Sequence, residues 1–222
     1  VAGSADDSYT TQSSDNAAPN TGLTLIQVVS YFGASTQSHG GLRFPGVYIP
    51  QGSTITSAYL WVYVDGTAND DPRVTIHGDD TGNALDFSAG GNPSIVTRPR
   101  VATRLGATYQ TTWSANGVGA GWKQLTVTKI VEGIVGRGDW ASGNALALLL
   151  IAGTDNPWYR VYLRSRDYDT NGTYAPYLTV TFTPPTTLVV GNHASGQVAD
   201  AFDGNLSQND KELFRFRLTN TT

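Results

Sequence analysis

The sequence contains neither cysteine nor methionine. Without cysteine there can be no disulfide, no thiolate metal site and no sulfur nucleophile. Lacking both oxidisable sulfur residues suits a chain that works outside a reducing cytosol, so the expected location is secreted or at the cell surface. The first residue is Val1 rather than methionine, as expected of a processed or truncated N-terminus, and no secretory leader is left to read. Charge is also sparse: 14 basic against 18 acidic residues, 14% of the chain in all, where about 25% is usual. A net charge of -4 with no concentrated basic stretch argues against nucleic acid as a partner. The longest apolar run, residues 145–152, falls far short of the ~20 residues of a membrane-spanning helix, so no membrane span is expected.

Catalytic constellations are missing too. The three histidines, His39, His77 and His193, are scattered, and neither an H-x-x-x-H pair nor a G-x-S-x-G elbow occurs. Glycoside hydrolysis needs two carboxyl groups ~5–10 Å apart, one with a raised pKa. Only two glutamates exist, Glu132 and Glu212, and the aspartates fall in polar turns where they stay ionised. The expectation is a protein that is not an enzyme.

What is present is Thr, Ser, Asn and Gly between short runs of β-branched and aromatic residues. That spacing predicts an all-β antiparallel β-sandwich, jelly-roll-like, with one short helix. Residues 1–22 read as a polar lead-in with one short edge strand at Asp7–Thr11. The clearest strand is Thr54–Val64, with Ala58, Leu60, Val62 and Val64 on one face and Ile55, Tyr59, Trp61 and Tyr63 on the other. Residues 73–77, 122–127, 158–166 and 175–182 read as further strands. The apolar run 145–151 reads as a strand covered on both faces. The helix begins at Thr128 as its cap, buries Ile130, Val131, Ile134 and Val135, and ends at Gly136 or Gly138. A Pro/Thr linker at 184–187 closes the module 1–183, because two successive prolines cannot serve a central strand. Residues 188–222 then read as a C-terminal β segment, part of a second module or a strand-exchanging tail. Phe214, Phe216 and Leu218 share one of its faces, which two strands alone cannot bury.

Three stretches carry a family resemblance: GLRFPGVYIPQGSTITSAYLWVYV (41–64), GDWASGNALALLLIAG (138–153) and APYLTVTF (175–182). Together they resemble secreted bacterial β-sandwich modules of the DNRLRE type, which are similar to carbohydrate-binding modules. The resemblance covers residues 1–183 and implies a non-catalytic attachment or scaffold unit. The charged motif that gives the group its name is not visible; the corresponding region reads RSRDYDTNGTY. The segment after the linker resembles the start of a second surface-protein module.

Several residues are candidates for binding. Tyr59, Trp61 and Tyr63 recur every second residue, ~6.5–7 Å apart on one strand face, and form either a platform on which sugar C–H groups stack, a second core layer under the helix or the N-terminal segment, or a subunit contact. Trp158, Arg160, Tyr162, Arg164 and Arg166 alternate ring and cation, either as a solvated face with Arg stems lying over Tyr rings or as a site for acidic glycans. Asp167, Asp169 and Asn171, followed by Gly172, match the first half of an oxygen-ligand calcium loop, but Leu178 stands where a bidentate Glu should. Such residues also simply turn well. Asp65, Asn69, Asp70 and Asp71 form a second candidate calcium loop, while Asp79 and Asp80 read as a plain turn. Asn-x-Ser/Thr patterns at Asn171, Asn205 and Asn220 are weak signals. Two functions follow from these residues. One is a structural or adhesive unit of a surface protein or fibre, self-associating through Phe214, Phe216 and Leu218 by strand addition. The other is a polysaccharide-binding module using the aromatic platform.

Overall fold

The computed structural model describes residues 2–11, 20–30, 37–66, 73–88, 93–115, 118–153 and 159–185. All belong to a compact unit spanning Val1–Pro185. The C-terminal β segment, with Phe214, Phe216 and Leu218, lies outside the described residues, as do Asn69, Asp70, Asp71 and Trp158.

Among the described residues ten strands form: β1 (Asp7–Thr11), β2 (Leu25–Ser30), β3 (Ser38–Phe44), β4 (Thr54–Val64), β5 (Arg73–Gly78), β6 (Gln110–Ser114), β7 (Gly121–Thr126), β8 (Leu146–Ala152), β9 (Tyr159–Arg164) and β10 (Tyr177–Thr183). A short helix α1 (Val101–Leu105) precedes β6, and α2 (Thr128–Val135) follows β7. Every pairing is antiparallel, along the path β10–β4–β9–β2–β3–β8–β5–β6, with β1 added to β3 and β7 to β4. Two joints on this path rest on a single residue pair, Val29 with Ser38 and Val64 with Leu163. The result is an antiparallel all-β fold whose sheet wraps nearly closed around one core.

That core follows the period of two. Ile26 and Val28, Leu42 and Phe44, Leu60, Val62 and Val64, Val74 and Ile76, Leu146, Leu148 and Leu150, and Val161 and Leu163 all point inward. Each such side chain contributes roughly 1.5–3 kcal/mol on burial. On β10, Leu178, Val180 and Phe182 share the inward face as expected, although they are only partly covered. The helix α2 buries the four expected residues, Ile130, Val131, Ile134 and Val135, in the same core. Its cap differs from expectation: Val127 is the N-cap, and no side chain caps the helix. Thr128 Oγ1 instead accepts a hydrogen bond from Ala58 N–H at 3.0 Å, tying the helix to β4.

Ile55 is a second correction. Strict alternation places it with Tyr59 and Trp61, yet it is buried in the core with Ala58 and Leu60. The register between β10 and β4 shifts here: Thr181 pairs with Ser57, but Phe182 pairs with Ile55. One extra residue on β4 inverts the alternation, as a β-bulge does. A third correction concerns the row 158–166. The strand ends at Arg164, and Arg166 lies in a short 3-10 turn.

β8 is covered on both faces, as its continuous apolar run implies. Ala147 and Leu149 pack outward against Ala84, Phe87 and Ile95, supplied by the connection between β5 and α1. Gly41 on β3 makes room for this layer, because a Cβ there would stand 2.5 Å from Phe87 Cζ. Gly41→Ala should therefore lower stability by about 1–3 kcal/mol through overpacking. An unchanged midpoint in urea denaturation would mean that the Phe87 layer yields freely.

Candidate functional site

The outer face of the three neighbouring strands β7, β4 and β10 carries the best-formed site. Pairing Leu60 with Leu125 and with Leu178 turns those residues inward and their neighbours outward. Outward across the strands run Thr126, Tyr59 and Thr179, then Gln124, Trp61 and Tyr177, then Trp122 and Tyr63. Among the described residues neither expected cover lies on this row. α2 packs with Ala58, Leu60 and Val62 on the opposite face of β4, and β1 pairs with β3. Tyr59, Trp61 and Tyr63 are half-buried, whereas Trp122 and Tyr177 are exposed at 37% and 41%.

The rings hold one another upright more than they lie flat as a row. Trp61 and Tyr177 stack with centroids 5.7 Å apart and planes 10° from parallel. Trp122 meets Tyr63 and Tyr177 edge-on at 5.5 and 5.2 Å. Trp61 Nε1–H donates to Thr179 Oγ1 at 3.2 Å, so the ring is fixed from both sides. Such pairs contribute about 0.5–1.5 kcal/mol each beyond area. Tyr63 also meets Tyr174 at 4.6 Å, and Tyr174 meets Tyr168 at 5.6 Å. At the end of the cluster, the Arg164 guanidinium lies 4.3, 3.9 and 4.2 Å from the centroids of Tyr63, Tyr168 and Tyr174. It pairs with Asp65 at 2.9 Å. Arg164 is thus spent inside the molecule, pinning the connection between β9 and β10 onto β4. Asp65 serves that pair. Arg160, by contrast, is exposed and lies 5.5 Å from the Tyr162 ring, a stem-over-ring arrangement on a wet face.

Trp122, Tyr168, Tyr174 and Tyr177 were not foreseen as partners of the row. The parity of Trp122, Gln124 and Thr126 against Leu125 was readable, but the register that sets Trp122 opposite Tyr63 was not.

Among the described residues, Asp167 and Asp169 turn to different partners. Asp169 Oδ1 accepts from the Asn171 and Thr173 N–H groups at 3.1 and 2.9 Å, shaping its own turn. Those backbone donors, Thr173 first, hold its carboxyl below the usual carboxylate range. Asp167 turns to the N-terminal segment, where its Oδ1 accepts from Ser4 Oγ at 2.8 Å and its Oδ2 is buried without a hydrogen-bond partner. Beside them lies a hollow of about 480 Å³ lined by Gly3, Ser4, Arg166, Asp167, Asp169 and Thr170. Among the described residues no three His, Asp or Glu side chains come together as a metal-binding group.

Burial strongly perturbs Asp7 and His77 and also shifts Asp79. Asp7 is pushed up to about 7, by desolvation above all and with Asp167 and Asp6 adding, against the Arg166 N–H at 2.5 Å. His77 is pushed down to about 4 by burial and by the charge of Arg100. Asp79 is raised because burial outweighs its pairing with Arg98 at 2.8 Å. His39, on β3, accepts the Ala152 N–H at its Nδ1 across 3.1 Å and so acts in the sheet. No family model matches the chain, and no curated protein matches it.

Asp7 and His77 should oppose one another in a pH profile. Asp7 in the folded chain keeps a proton that the unfolded chain loses above 3.8, so its contribution is full below that pH and is lost as pH rises through about 7. His77 is depressed, so the unfolded chain binds the extra proton and stability rises with pH between about 4 and 6.5. Asp7→Asn should leave the rising limb alone. It should match the wild type near pH 3 and exceed it near pH 8 by up to ~4 kcal/mol, at 1.36 kcal/mol per pKa unit. Urea unfolding at both pH values measures this; parallel profiles would show that Asp7 titrates normally.

Proposed function

We propose that this chain is a non-catalytic, glycan-binding module of a secreted or cell-surface protein, with the outer face of β7, β4 and β10 as its binding surface. One observation carries the reading. The outward side chains on that face are aromatic or neutral: Trp122, Gln124 and Thr126; Tyr59, Trp61 and Tyr63; Tyr177, Thr179 and Thr181. Rings offer π faces and edges to sugar C–H groups, while hydroxyls and an amide exchange hydrogen bonds with sugar hydroxyls. The Arg164 guanidinium at the end of the cluster is already enclosed by tyrosines and Asp65. A surface of this kind suits an uncharged polysaccharide better than an acidic one. It is also pre-organised, since the Trp61–Tyr177 stack and the Trp61–Thr179 hydrogen bond fix the rings before any ligand arrives.

The resemblance of residues 1–183 to DNRLRE-type, carbohydrate-binding-module-like domains points the same way. A non-catalytic role fits the placement of the perturbed groups. His77 is buried beside Arg100, Asp79 is bonded to Arg98, and Asp7 is buried and accepts the Arg166 N–H. None lies on β7, β4 or β10. The structural and adhesive reading rests on Phe214, Phe216 and Leu218 and gains nothing from the described residues.

Trp122→Ala and Tyr177→Ala remove exposed rings without touching the core. Each should weaken retention on an uncharged β-glucan or chitin in affinity electrophoresis by roughly tenfold, or ~1.4 kcal/mol. Each variant loses two ring contacts, about 1–3 kcal/mol, so the thermal midpoint should fall by several degrees while unfolding stays cooperative. Wild-type protein that migrates unretarded through every uncharged polysaccharide gel would overturn the assignment.

A further inference from the structure

A second hollow, of about 320 Å³, opens where the chain leaves β5 and returns into α1; Asp80, Arg98, Pro99, Arg100, Thr103 and Arg104 line it. The local charges can be paired off. Arg98 is bonded to Asp79 at 2.8 Å. Arg104 and Arg137 share Asp80 at 2.9 and 2.6 Å, and Arg137 also holds Asp139 at 2.7 Å. Three carboxylates thus balance three guanidiniums, and Arg100 is left over. No carboxylate pairs with Arg100 among the described residues, although it is half-buried at the wall of the hollow.

We infer that this hollow is an anion subsite that takes a single carboxylate group, with Arg100 as its charged anchor. A planar guanidinium offers two parallel N–H donors that match the two oxygens of a carboxylate. The exposed Thr103 side chain lines the same wall and can donate a third hydrogen bond. One surplus positive charge calls for one negative charge. A dianion would place unbalanced charge beside Asp80, whose oxygens are already committed. Among the described residues Arg100 loses hydration without gaining a partner, and burial accordingly draws its pKa down. Its charge reaches His77, which is 6% exposed and whose Nδ1 is buried with no hydrogen-bond partner. Neutralising Arg100 with a bound carboxylate relieves both groups. The neutral aromatic face takes no part in this subsite.

The test is an NMR titration of the full chain, following the Arg100 Nε–Hε resonance and the ring signals of His77. Sodium acetate is the probe, compared with sodium chloride and sodium sulfate at matched ionic strength. Acetate should shift the Arg100 resonance saturably and raise the His77 pKa, chloride should do neither, and sulfate should act more weakly. Arg100→Gln should abolish the acetate response. Should that variant fail to fold, Arg100→Lys keeps the charge but not the fork and should bind acetate about tenfold more weakly. Equal shifts with chloride, or a response that survives Arg100→Gln, would overturn the subsite. Sulfate binding as tight as acetate would overturn its assignment to a carboxylate.

Discussion

Burial of β8 on both faces is the constraint from which the rest of the molecule follows. A strand reading LALLLIA cannot leave either face in water. Its inner face, Leu146, Leu148 and Leu150, completes the main core. Its outer face needs a second cover, and the chain between β5 and α1 supplies one with Ala84, Phe87 and Ile95. Among the described residues that cover has no strand of its own, so single backbone bonds, such as Ala84 N–H to the Ala145 carbonyl and Phe87 N–H to the Ala5 carbonyl, and side chains tie it down. Arg98 does so. It donates to Asp79, to the Leu85 carbonyl at 2.9 Å and to the Asp86 carbonyl at 2.6 Å, and lies 4.3 Å from the Phe87 ring centroid. A buried pair of this kind contributes little net stability over apolar residues of the same volume, but losing one partner costs ~3–5 kcal/mol. Its value lies in holding one loop path over β8.

On the other flank of the sheet, β4 separates two chemistries by the period of two. Ala58, Leu60, Val62 and Val64 lie in the core, and the alternate positions carry Tyr59, Trp61 and Tyr63 to the outer side. The bulge before Ala58 returns Ile55 to the core and leaves Thr56 exposed. Aromatic character is therefore concentrated towards the Val64 end of the strand. Arg164 meets it there, and its enclosure by three tyrosines fixes the connection that carries Asp167 and Asp169. The rings, the clamp and the acidic turn form one connected surface.

Period and composition made much of this legible. The all-β class, the span of β4, the double burial of β8 and the four buried positions of α2 follow from spacing alone. Ile55 was misplaced because a bulge is a property of a strand pair, and its partner Phe182 lies 127 residues away in sequence. The Thr128 cap failed because Ala58 N–H competed for the same hydroxyl. At the site, the aromatic parity of β4 was visible, whereas the neighbours that stand the rings upright come from β7 and β10 and needed the register. The spacing of Asp167 and Asp169 could not show that a 3-10 turn gives the two carboxyls different hydrogen-bond partners.

The charged cluster around Asp80 follows from the same architecture. Because β8 demands an outer cover, the chain must turn sharply after β5, and Asp79 and Asp80 sit at that turn. Asp79 goes inward to Arg98, while Asp80 faces Arg104 and Arg137. Arg100 forms an isolated bridge with Asp79 through the backbone, which places it between the two groups, and among the described residues no carboxylate pairs with it. In a chain with so few charges, most ionic side chains here have a structural duty that a neighbour explains. A half-buried guanidinium with none is an electrostatic cost to the fold, and binding can offset that cost only if the ligand brings the missing charge.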